Sequence, residues 1–151
     1  MAKQHGESDD DKARIGPADL GIDPAGGADD QLFKWLVACL LFANPISQEI
    51  AAAAFGALDR DGVLTPKRLA EADWQHLVDL LGEGHYKRYD ESKARELIAL
   101  GRDVQQRYDG RLATLPEGAG SRSAILDRLQ EFTGIGPKAA EIFLRETGWQ
   151  G

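Results

Sequence analysis

Residues 31–43 read Gln-Leu-Phe-Lys-Trp-Leu-Val-Ala-Cys-Leu-Leu-Phe-Ala, and Lys34 is the one charge among them. On a helix this stretch is apolar almost all round, so it has no face to give to water. The rest of the chain must therefore bury it on most sides, as the central helix of a core. At 151 residues the chain is expected to be one domain, long enough to enclose such a helix. No apolar run approaches the roughly 20 residues that a bilayer requires, so no membrane span is expected. The N-terminus offers no apolar leader, which points to a cytoplasmic protein. Cys39 sits inside the apolar stretch and is expected to pack as a small apolar residue. A lone cysteine excludes an internal disulfide and a four-cysteine zinc or iron–sulfur site. His5, His76 and His85 lack metal-ligand spacing.

The rest of the chain reads as further helices. Asn44-Pro45 breaks the apolar helix, because the residue before a proline avoids the helical region. An alanine-rich helix follows, from about Ser47 to Leu58, and Asp59 to Gly62 reads as a loop. Thr65-Pro66 is an N-cap and first-turn pair. Asp73 is the N-cap of a helix over Trp74 to Leu81, which Gly82 should end. A long amphipathic helix covers about Glu91 to Tyr108, and Asp109-Gly110 turns the chain. Residues 111–120 are an irregular connection into a helix over 121–131, and Gly148 should close the last helix. No stretch alternates with period two, so the fold class is all-α.

The net charge is -7, which at first argues against a polyanionic partner. Its distribution weakens that objection. Residues 1–30 hold 8 acidic and 3 basic residues, whereas the remaining 121 hold 17 and 15. The expected organisation is an acidic, flexible N-terminal tail over 1–29 and a nearly neutral helical domain over 30–151. Such a body can carry a local basic face, although strong non-specific affinity for DNA is not expected of it.

The stretch Leu129-Gln-Glu-Phe-Thr-Gly-Ile-Gly-Pro-Lys-Ala-Ala-Glu-Ile-Phe-Leu144 joins two helical patterns across a tight turn. Ile125, Leu126, Leu129 and Phe132 recur at helical spacing before it, and Ala139, Ala140, Ile142, Phe143 and Leu144 after it. Gly134 and Gly136 permit backbone angles closed to other residues. Pro137 suits the first position of a new helix, where its missing N–H is no loss. The amides around Gly134, Gly136 and Lys138 can converge at that helix start, which is a ready site for phosphate. Without a ligand, the same turn would simply join two packed helices.

A second stretch, Gly82-Glu-Gly-His-Tyr-Lys-Arg-Tyr-Asp90, mixes glycine, aromatic and cationic residues. Tyr86, Lys87, Arg88 and Tyr89 can stack on bases and meet phosphates. Equally, the tyrosines can pack on the body of the domain.

The Gly134-Ile-Gly-Pro-Lys-Ala-Ala140 wording resembles the helix-hairpin-helix DNA-binding motif, here over 121–147. The wider order of elements, from about residue 30 to 148, resembles the endonuclease III-like branch of the helix-hairpin-helix DNA glycosylase superfamily. Leu32 to Asn44 is similar to that family's buried helix, and Ser92-Lys-Ala-Arg-Glu-Leu97 to a helix start with a Lys-Ala pair. The resemblance implies a six-helix-barrel-like module, duplex DNA as partner, damaged or abasic, and a role in base-excision repair. It implies Asn44 as a wedge residue filling the gap left by an extruded base, and the 86–89 loop as a second probe. It implies a monovalent cation at the hairpin, held by the main-chain carbonyls of Gln130, Phe132 and Ile135, with no further cofactor. Lys138 falls where bifunctional members carry a nucleophilic lysine that attacks the sugar C1′.

The chain also departs from that family. Catalytic members place an aspartate roughly 18 residues beyond the lysine, where it stabilises developing positive charge. Counted from Lys138 this falls past Gly151, and no aspartate follows Asp127. The four cysteines of an iron–sulfur cluster and the second helical half of the family's fold are missing too. The expectation is a single lobe whose exposed flank favours a homodimer or a partner protein. Three functions stay open: a DNA-binding protein of glycosylase-like fold, an active glycosylase or abasic-site lyase using Lys138, and a helical protein-interaction module.

Overall fold

The computed structural model describes residues 15–149. Among these residues there are seven α-helices and no strand, in agreement with the all-α expectation. The helices are α1 (Asp29–Phe42), α2 (Gln48–Asp61), α3 (Pro66–Ala70), α4 (Trp74–Glu83), α5 (Asp90–Tyr108), α6 (Arg122–Leu129) and α7 (Pro137–Arg145). Short 3-10 turns occupy Pro17–Leu20, Pro24–Gly26 and Leu112–Thr114.

Helix α1 is the centre of the core. Every residue from Leu32 to Phe42 is buried except Lys34. The Lys34 ammonium escapes at the edge and meets Asp59 of α2 at 2.9 Å. Each leucine or phenylalanine placed this way contributes about 1.5–3 kcal/mol relative to exposure. The wrapping is supplied by α2, α7 and the turns at 24–26 and 112–114. One polar contact fixes this packing, since Asp29 Oδ1 accepts from the Ala113 N–H at 2.7 Å. No helix among the described residues is long and apolar enough to cross a membrane.

Side-chain oxygens cap four helix starts. Ser47, Thr65, Asp73 and Ser121 accept from the N–H groups of Ile50, Arg68, His76 and Ala124, each at 3.1 Å. Two of these, Thr65 and Asp73, were expected from a short polar residue standing before a helical run. Helix α3 packs closely along α5, and Gly101 permits it. A Cβ at Gly101 would lie 2.6 Å from the Pro66 carbonyl oxygen and 2.7 Å from the Ala70 nitrogen.

Several boundaries differ from the sequence reading. Helix α2 runs on through Asp61, because Gly62 at φ +84° closes it. Gly82 does not end α4. Gly84 is needed for contact, since a Cβ there would sit 2.5 Å from the Ala54 nitrogen. The chain turns one residue later, at His85, whose φ is +66°. Gly148 also lies beyond a cap: α7 ends at Arg145, and Gly148 at φ +76° folds Trp149 back onto Phe143. The N-terminal tail needs the largest correction. Residues 15–28 pack on the body, with Ile22 and Pro24 buried and the Ile15 N–H donating to Gln48 Oε1 at 2.6 Å. The rest of the expected tail, 1–14, lies outside the described residues.

Gly101→Ala should destabilise the fold by about 1–3 kcal/mol, because the added methyl meets backbone that cannot swing away. Urea denaturation should show a lower midpoint with an unchanged slope.

Candidate nucleic-acid interface

Three separate segments meet at one end of the bundle. They are the end of α1, the 85–89 loop and the turn between α6 and α7. Each is held there by identifiable contacts.

The loop is delivered by the way α4 stops. The Tyr86 N–H donates to the Leu81 carbonyl at 3.0 Å and the His85 N–H to that of Gly82 at 2.9 Å. This double closure with a left-handed residue is a Schellman arrangement. It turns Tyr86 into the core, where its hydroxyl donates to the Leu41 carbonyl at 2.9 Å. Leu41 is in the last turn of α1, where carbonyls lack helical partners. Tyr86 is fully buried, so the expectation that it meets DNA is corrected: it is a strut between loop and helix. Lys87 and Arg88 are exposed, and the Arg88 guanidinium stands 5.3 Å from the centre of the half-buried Tyr89 ring. Asn44 follows α1, half-buried, its side chain without a hydrogen bond among the described residues.

The hairpin docks on one flank of α5. The Thr133 N–H donates to Asp103 Oδ2 at 3.1 Å, and Arg107 pairs with Glu131 at 2.8 Å. Phe132 meets Tyr108 edge-on, with ring centres 5.8 Å apart. Gly134 has φ +84°, and a Cβ there would lie 2.8 Å from Glu96 Oε1 and 3.0 Å from Leu40 Cδ1. Glycine is thus required twice at that position, by conformation and by space. Glu96 in turn pairs with the buried Lys93 at 2.6 Å. Arg122 and Glu141 join α6 to α7 at 2.9 Å, and this pairing holds the exposed Glu141 carboxyl below the usual range.

What this turn presents is a set of open donors. Helix α7 begins at Gly136, which offers no side-chain cap. Among the described residues, the N–H groups of Gly134, Gly136, Lys138 and Ala139 find no acceptor. Lys138 is exposed on the first turn, with no ion pair or hydrogen bond among those residues. Open amides, a helix start and a cation together favour an anion. On the inner side of the turn, Phe132 and Ile135 are buried, and the Phe132 carbonyl accepts from the Ile135 N–H at 3.2 Å. The carbonyls of Gln130 and Ile135 accept nothing among the described residues, so the oxygens expected to hold a monovalent cation are largely uncommitted.

Lys93 was noted only for its Lys-Ala pair, and Asp103 and Glu96 were not singled out from the sequence, although all three lie where the hairpin docks. Glu96 and Asp103 are seven residues apart, the spacing of one helix flank, and that was the available signal. No protein-family model matches the chain, and no curated protein matches it either.

Burial pushes the Tyr86 hydroxyl well above the ordinary tyrosine range, and nearby Glu96 adds to the shift. The unfolded chain therefore ionises Tyr86 first as pH rises, and stability present below about pH 10 is lost above it. Tyr86→Phe should cost about 1–2 kcal/mol at neutral pH, since it leaves the Leu41 carbonyl without its donor. The same change should flatten the alkaline fall in stability, as read by denaturation on either side of about pH 10.

Proposed function

We propose that this chain is a DNA-binding protein with a helical lobe like that of the helix-hairpin-helix glycosylases, and that it acts in base-excision repair. The observation that carries this reading is the uncapped start of α7, where four neighbouring amides and Lys138 stand open beside two glycines. Phosphate oxygens supply the acceptors those amides lack. Such contacts fix register on a duplex without reading its sequence. Lys87 and Arg88 meet the backbone from the loop, with Tyr89 beside them. Asn44, at the end of the buried helix, is the wedge against an extruded base. A monovalent cation on the carbonyls of Gln130, Phe132 and Ile135 would stiffen the turn. A duplex, damaged or abasic, is the partner, and a homodimer or partner protein covers the remaining flank.

A second reading makes the chain an abasic-site lyase. It is favoured by Lys138, whose amine is exposed and unpaired among the described residues. In that chemistry the neutral amine condenses with the abasic-site aldehyde, loses water and forms a Schiff base. A helical protein-interaction module is the outcome if DNA is not bound at all.

Duplex binding should weaken steeply with salt, and Lys138→Ala should lower the slope of log K against log salt by about 0.9. Asp103→Ala, which releases the hairpin from α5, should weaken binding while leaving that slope in place. Absence of duplex binding at low salt would overturn the DNA reading. Borohydride trapping on abasic-site DNA separates the two DNA readings. A covalent adduct lost in Lys138→Ala supports the lyase, and no adduct alongside salt-dependent binding leaves the phosphate grip alone.

A further inference from the structure

Helix α5 carries the hairpin on one flank through Glu96, Asp103 and Arg107. At 3.6 residues per turn, Ile98 and Arg102 fall on the other flank, and Arg95 lies near the exposed ridge between them. There an open groove of about 490 Å³ is lined by Trp74, Arg95, Ile98 and Arg102. Its floor is apolar and aromatic. Trp74 is fixed in place because its indole N–H donates to the Glu91 carbonyl at 3.1 Å. Its two cations are uncommitted: neither Arg95 nor Arg102 makes a hydrogen bond or ion pair among the described residues. Arg95 also lines a neighbouring hollow of about 370 Å³ with Lys87 and Arg88. Asp90 and Glu91 border that hollow as well, but neither lines the groove itself.

We propose that this groove is a single-strand site, taking the nucleotides of an unpaired strand that leaves the duplex held at the hairpin. The inference rests on the DNA-binding reading above. Four cations run from Lys87 and Arg88 through Arg95 to Arg102, and they begin at the loop that borders the hairpin end. Arg95 and Arg102 are two helical turns apart, roughly 10 Å along α5, so they meet different phosphates of one strand. Guanidinium groups take phosphate oxygens in pairs, a geometry that a lysine pair would not give. Between them, Trp74 and Ile98 offer an apolar surface to a sugar or base, the combination that sequence-tolerant single-strand sites use. A duplex is too thick to enter such a groove while seated on the hairpin across the ridge. An acidic peptide would satisfy the arginines but leaves the aromatic floor without a reason.

The test compares two labelled DNAs by fluorescence anisotropy, a blunt duplex and the same duplex carrying an overhang of about six thymidines. The wild-type chain should bind the overhang form about tenfold tighter, and the added affinity should fall with salt. Arg102→Ala, an exposed change that leaves the core alone, should remove most of that gain and leave blunt-duplex binding as it was. Arg102→Lys should restore only part of it. Equal affinity for the two DNAs, with salt-dependent binding of both, overturns the groove assignment and leaves the hairpin reading standing. A gain that persists in both Arg102→Ala and Arg95→Ala overturns it as well, because the overhang is then held elsewhere. If neither DNA is bound at low salt, both readings fall. Displacement of the overhang gain by oligothymidylate but not by polyglutamate supports the nucleic-acid site, and the reverse order overturns it in favour of an acidic peptide.

Discussion

A helix with no polar side can exist in water only if other segments cover all of it, and α1 imposes that condition on the whole chain. The apolar run from Leu32 to Phe42 admits one charge, Lys34, and that charge is led out to Asp59. The main wrapping of this rod comes from α2 and α7 against its sides and the turns at 24–26 and 112–114 closing its start. The far end of the rod cannot be closed in the same way, because its last carbonyls need donors. Tyr86 supplies one of them from a loop 45 residues away in sequence. The point where the wrapping ends is thus also where distant segments are drawn together, and the open donors of α7 lie beside it.

Much of this was legible in the residues. The all-round apolarity of 31–43 signals a buried helix without any knowledge of its neighbours, because the argument needs only the absence of a polar face. Caps at Thr65 and Asp73 are local chemistry and could be read in place. The hairpin at Gly134 and Gly136 is also local, since a left-handed residue followed by a proline-led helix leaves few alternatives. What could not be read depended on contacts across the chain. Gly82 and Gly84 look alike in sequence, yet only Gly84 touches the backbone of α2. Tyr86 and Tyr89 look alike too, and one is a core strut while the other is a half-buried neighbour of Arg88. The packing of 15–28 on the body was hidden by its glycines and prolines, which read as loop, although Ile22 and Pro24 are buried there and Ile15 and Leu20 pack against the core.

The acidity of the chain and the polyanion proposed for its site are compatible because the relevant distances are short. Beyond about 8 Å at physiological ionic strength, charges are largely screened, so net charge governs approach more than contact. Near the hairpin several carboxylates are already engaged: Asp103 with a backbone N–H, Glu96 with Lys93, Glu131 with Arg107 and Glu141 with Arg122. A carboxylate committed to an internal donor repels an incoming anion less than a bare one does. The cations at Lys87, Arg88 and Lys138 have no such carboxylate partner among the described residues. The local balance at this end is therefore set by geometry rather than by composition.

The start of α7 carries a thermodynamic consequence of its own. Four other helices complete their first turn with a side chain from their own sequence, whereas α7 begins on a glycine that can contribute none. Its first turn is left to be completed from outside. An anion seated there belongs to the folded form alone, since the unfolded chain has no such ring of amides. Occupancy and folding are then one linked equilibrium, in which each tenfold excess of ligand over its dissociation constant adds about 1.4 kcal/mol to the cohesion of the bundle. The hairpin would behave as a helix whose missing cap is lent by its ligand and withdrawn when the ligand departs.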